Sequence, residues 1–195
     1  MAWHEALLDF WFGLDPARHW QVDPALDAEI AARFGRLLNT EAAATPAEAG
    51  ASGRDRANAS RDALAKHLRS ADHALAAVIL FDQFPRNIFR GHRRAFATDR
   101  LARSLAESAA DRGFDGQVAP DRRLFFYLPF EHSEDPRDQA RSVRLIAALG
   151  RPDWAEFAVR HRDVIARFGR FPHRNAILGR QSTEEEQAFG LEPAW

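Results

Sequence analysis

The chain contains no cysteine. Disulfides, thiolate nucleophiles and sulfur-ligated metals are therefore excluded. It has one lysine, Lys66, so nearly every cation is an arginine. Any contact to an anion is then made by a planar guanidinium fork rather than an ammonium point charge. A net charge of −1 leaves no broad basic field, which argues against nucleic acid as a partner. No run approaches the ~18 apolar residues of a membrane-spanning helix. Glu5 and Asp9 interrupt the N-terminal apolar stretch, so it does not read as a signal peptide. A soluble, cytoplasmic protein without a membrane partner is expected. Three catalytic signatures are also missing: a Gly-rich phosphate loop, a His-Glu-x-x-His helix and a Gly-x-Ser-x-Gly elbow. No cofactor is expected, and the oligomeric state is not legible.

At 195 residues the chain suits a single helical domain over 1–195. The apolar share is 46%, but much of it is alanine, so fifteen Phe and five Trp must supply the bulk of the core. The apolar period is helical throughout. Leu7, Leu8, Trp11 and Phe12 mark a first helix, and Pro24 opens a second carrying Leu26, Ile30, Phe34 and Leu38. Residues 40–60 are small and polar and read as a mobile loop with room for a helical piece. Ala63 to Arg69 reads as helical. Ser70 caps the next helix, which Pro85 ends. Thr98 or Asp99 starts a helix closed by Gly113, and Asp135-Pro136 starts another. Asp153 caps Trp154–Phe168, which Gly169 closes. Ser182 and Glu185 read as a capping box. Phe125-Phe126-Tyr127 suits a strand in isolation but has no partner strand. The expected fold is all-α, an irregular array of antiparallel helix hairpins.

The unusual polar residues sit in three stretches. Residues 84–91 read Phe-Pro-Arg-Asn-Ile-Phe-Arg-Gly, and residues 171–179 read Phe-Pro-His-Arg-Asn-Ala-Ile-Leu-Gly. Between them lies Leu-Pro-Phe-Glu-His-Ser-Glu-Asp at 128–135. Each Phe-Pro segment presents Arg and Asn at a helix end. Arg offers a fork for phosphate or carboxylate, and Asn both donates and accepts. Arg86, Asn87, Arg170, His173, Arg174, Asn175 and Arg180 are thus candidate ligand-binding residues, with Asp82 as a pocket wall. The plainer reading is that Arg86 and Arg174 bond helix C-terminal carbonyls, and that Asp82 pairs internally with Arg86 one turn on. Glu131, His132 and His161 are candidate acid–base groups. Against that, His161 lies on an apolar stripe and suits a satisfied core residue, while Asp135 suits a cap. No His/carboxylate pair has recognised metal-site spacing, and converging arginines repel a cation, so no metal is expected.

The stretches Phe81–Gly91, Ala95–Asp99, Tyr127–Asp135 and Arg167–Asn175, with the opening Leu8-Asp9-Phe10-Trp11-Phe12, closely resemble the signature of the bacterial domain of unknown function family 924. The resemblance covers nearly the whole chain. It implies a helical fold similar to tetratricopeptide-repeat (TPR) proteins, and it implies no activity. Residues 40–60 depart from it, being Ala/Gly-rich where relatives tend to continue helically with a Trp. No 34-residue repeat is present, so the array would be irregular. Three functions stand open: a module binding an anionic small molecule or an acidic peptide end, an enzyme acting on an anionic substrate, or a purely structural role for the motifs.

Overall fold

The computed structural model describes residues 1–43 and 64–190, and every regular element in it is helical. The order is α1 (Trp3–Phe12), α2 (Pro24–Ala43), α3 (Ala71–Asp82), α4 (Phe84–Ile88), α5 (Asp99–Asp111), α6 (Pro120–Glu131), α7 (Pro136–Ala147), α8 (Pro152–Phe168), α9 (Asn175–Leu178) and α10 (Glu184–Phe189). Short 3-10 turns fill several joints, including Arg93–Phe96 and Pro172–Arg174. No helix among the described residues is long and apolar enough to cross a membrane.

Two helices form the centre. In α3 every residue from His73 to Asp82 is buried, and in α6 every residue from Leu124 to Glu131. A helix apolar all round must be packed all round. Accordingly α3 packs against α1, α5 and α6, and α6 packs against α5 and α7. The aromatic bulk gathers at one end of this centre. Phe84 lies against Trp11 and Phe34, with ring centroids 5.5 and 5.1 Å apart. Both central helices end in a buried carboxylate, Asp82 and Glu131, and those ends face the region described below.

The local signals behave as their chemistry requires. Ser70 accepts from the His73 amide, and Asp135 accepts from that of Arg137. Gly169 closes α8 at φ 69°, a left-handed conformation that costs an L side chain strain. Several expectations need correction. Thr40 to Ala43 continue α2 rather than belonging to a loop, and the rest of the 40–60 stretch lies outside the described residues. Residues 66–69 turn, with the His67 amide bonded to the Leu64 carbonyl, rather than extending a helix. Phe125–Tyr127 is helical, as expected from the missing partner strand. Asp153 lies in the first turn of α8, whose N-cap is Arg151. The last capping box is Thr183 with Glu186, one residue beyond Ser182 and Glu185.

Pro85 ends α3 as expected and also opens the next helix. It stops the α3 ladder, but its fixed φ suits a first turn, so α4 starts at once. The missing proline amide leaves the Phe81 carbonyl without a helical donor. Thr98 Oγ1 donates to that carbonyl at 2.6 Å, which is why its hydroxyl does not cap α5. Arg86 takes the next carbonyl, that of Asp82. Thr98→Val should therefore lower stability by about 1–3 kcal/mol, the cost of a buried acceptor left unmet. Urea unfolding of the pair measures it. An unchanged midpoint would mean that water replaces the hydroxyl.

Candidate functional site

Asp82 is only 1% exposed. Its carboxylate accepts from Gln83 Nε2 at 2.6 Å and faces His132 Nδ1, which lies 2.9 and 3.0 Å from its two oxygens. Arg86 Nη1 is 3.4 Å away. Burial alone would push this carboxyl up. The Arg86 and His132 charges and the hydrogen bonds outweigh it and hold the pKa at about 2. His132 responds in the opposite sense. Burial and the Arg86 charge lower it against the pull of Asp82, so the imidazole is neutral near pH 7.

Arg86 reaches a second carboxylate. Its Nη1 lies 3.0 Å from Asp99 Oδ1, and its Nη2 donates to Oδ2 at 3.1 Å. Arg174 Nη1 approaches the same Oδ2 at 3.5 Å. One arginine from each Phe-Pro segment thus meets Asp99 at the start of α5. Both guanidinium groups also face the Phe96 ring, at 5.9 and 4.8 Å, and Arg174 faces Phe171 at 4.4 Å. Phe84 and Phe171 are fully buried. An open cleft of about 250 Å³ passes this group, lined by Asp99, Arg100, Arg103, Pro129, His132, Ser133, Glu134 and Arg174.

Arg174 is the unusual member. It is 7% exposed, yet its guanidinium donates no hydrogen bond among the described residues, and its buried Nε has no acceptor. Burial, with the nearby Arg86 charge, lowers its pKa to about 10 against the pull of Asp99, Glu134 and Asp82.

The other candidates fall into separate roles. Glu131 is 5% exposed, and burial with the nearby Asp82 charge pushes it up to about 8. His161 Nδ1 lies 3.5 Å from the Glu131 Oε1. His161 also lies 2.9 Å from the Phe157 carbonyl and is lowered to about 3 by burial. His173 is lowered to about 4, again chiefly by burial. Glu134 holds the second Phe-Pro segment in place. It accepts from the Phe171 amide at 2.8 Å and from both Arg180 Nη atoms at 2.8 and 3.0 Å. Arg170 pairs with Glu186 at 2.6 and 2.8 Å.

The two asparagines do not share a site. Asn87 Nδ2 donates to Asp27 on α2 at 2.8 Å. Asn175 is fully buried and donates to Ser182 and Glu186. Each ties its own turn to a different neighbour, so the fold does not bring these two candidate residues together. Neither Asn lines the cleft, and neither do Arg170 and Arg180. Asp99 and Phe96 were not anticipated as site residues. Asp99 reads locally as a helix start, and only the fold brings both arginines to it.

Comparison with known proteins places this arrangement in a family. A family profile described as "Bacterial protein of unknown function (DUF924)" matches residues 7–193. The chain belongs to the DUF924 family. A solved structure titled "Structure of Protein of Unknown Function ATU0120 from Agrobacterium tumefaciens" is similar to this DUF924 chain at 39% identity, with a TM-score of 0.80 and 95% of each chain covered. Comparison with curated proteins gives no match. The DUF924 assignment carries the fold and says nothing of an activity, so the reading of the cleft rests on its geometry.

Proposed function

We propose that the cleft binds a small anion, a carboxylate or a phosphate, with Arg174 as its anchor. The observation that carries this reading is a guanidinium buried against two phenyl rings that donates no hydrogen bond among the described residues. Burying a guanidinium whose one close carboxylate, Asp99 at 3.5 Å, is shared with Arg86 leaves much of its donor capacity unmet, which is costly. The rings offset part of that cost through cation–π attraction, and an acceptor in the cleft would offset more. The cleft of about 250 Å³ lies below the ~300–1,000 Å³ of drug-sized ligand pockets, which favours a metabolite-sized acid or a peptide's terminal carboxylate. This reading carries with it a TPR-like use of stacked helix hairpins and a cytoplasmic setting.

The test is titration calorimetry with inorganic phosphate and with succinate. Arg174→Met keeps an unbranched stem near Phe96 and Phe171 and removes the fork. A lost charge-assisted hydrogen bond is worth about 1.5–3 kcal/mol, so affinity should fall roughly ten- to a hundred-fold while helix content stays unchanged by circular dichroism. Equal binding by parent and variant would remove Arg174 as the anchor.

A further inference from the structure

The imidazole of His132 has a defined tautomer. Its Nδ1 faces the ionised Asp82 carboxylate at 2.9 and 3.0 Å, so Nδ1 carries the proton. A neutral imidazole has a single N–H, which leaves Nε2 with a lone pair. Nε2 has no hydrogen-bond partner among the described residues, and His132 lines the same cleft as Arg174. The surroundings favour this neutral form. Arg86 is within reach of Asp82, and Arg174 and His173 stand on the second Phe-Pro segment. On α8, the His161 ring centroid lies 6.5 Å away, and its carboxylate neighbour Glu131 ends α6.

We propose that the Asp82–His132 pair is a general-base site that hydrolyses a small acyl compound bearing a carboxylate held by Arg174. The inference rests on the anion reading above. Nε2 takes a proton from a water as the water oxygen bonds to the acyl carbon. The bond from that carbon to the leaving oxygen then breaks, its electron pair staying on the oxygen. His132 passes the proton on to that oxygen or to solvent. Water is the nucleophile because no side chain competes for the role. Ser133 lines the cleft, but its Oγ donates to Asp138 at 2.7 Å and accepts from the Asp135 amide at 3.2 Å, away from His132. Asp82 acts as a positioning residue, since it fixes the tautomer without reaching the cleft itself.

The probes are mono-4-nitrophenyl succinate and the neutral 4-nitrophenyl acetate, followed by nitrophenolate release. The parent should hydrolyse the succinate ester with the larger kcat/KM. His132→Gln should lose roughly a hundred-fold or more in kcat, the usual contribution of a positioned base. Arg174→Met should raise KM for the succinate ester far more than KM for the acetate ester. Asp82→Asn should lower kcat with KM unchanged. If that variant does not fold, His132→Ala with added imidazole serves in its place, and recovered release supports the pair. A parent no faster than buffer, or a His132→Gln variant as fast as the parent, overturns the proposal. Phosphate calorimetry on the same proteins separates the two readings. Phosphate bound by an inert parent overturns the base and leaves the anchor. Hydrolysis that depends on His132, with neither phosphate nor succinate bound and no KM change in Arg174→Met, overturns the anchor and leaves the base.

Discussion

Phe84→Ala is expected to lose about 3–5 kcal/mol of stability in urea unfolding, the cost of removing a fully buried phenyl ring. Phe84 is positioned by the Pro85 break, which starts α4 at that residue and turns the ring toward Trp11 and Phe34. Those two rings belong to α1 and α2, so the cavity would open where three helices meet and cannot collapse by moving one of them. A loss within the usual ±0.5 kcal/mol of surface substitutions would show that the ring is not a shared anchor. The motif's Phe therefore has a packing role that its neighbours Arg86 and Asn87 do not share.

The second large effect concerns Glu131. The folded protein holds its proton up to about pH 8, whereas the unfolded chain releases it near 4.5. Between those values the folded state binds more protons, so this residue's contribution to stability falls as pH rises. Each unit of difference is worth ~1.4 kcal/mol, giving a loss on the order of 4 kcal/mol by pH 8.5. Glu131→Gln keeps the shape and removes the titration. The variant should match the parent at pH 4 and exceed it by several kcal/mol at pH 8.5. The comparison must be between the two proteins, because His67, His73, His161 and His173 are all lowered by burial and contribute the opposite slope below pH 6.5. Parallel pH profiles for the two proteins would mean that Glu131 ionises normally.

How much of this was legible depends on the range of the interaction. Ser70, the Asp135-Pro136 pair and Gly169 act within one turn of the chain, so their residue types announce them. Pro85 was half legible. Its missing donor forecasts the end of α3, but whether the chain then loops or restarts depends on Thr98 and Arg86 meeting the exposed carbonyls. The repeated Arg-Asn pattern suggested one shared role for both residues. The arginines do meet at Asp99, while the asparagines bond to Asp27 and Glu186, partners 60 and 11 residues away with nothing in the motif to name them. The Asp82–His132 contact spans 50 residues and was equally hidden. Each residue was flagged for being polar in an apolar context, which is a signal of a partner and not of its identity.

The cleft's walls come from well-separated parts of the chain: Asp99 from the middle, His132 and Glu134 from the end of α6 and just beyond, and Arg174 from a segment that Arg180 ties to Glu134. During synthesis, Asp82 and His132 can meet long before Arg174 has left the ribosome. A nascent chain would then carry the imidazole pair with Arg86 beside it but without Arg174. The Arg180–Glu134 contact is thus the last tie made on this cleft, and a truncation product that stops short of Arg180 would lack the tie that holds the Arg174 segment to Glu134.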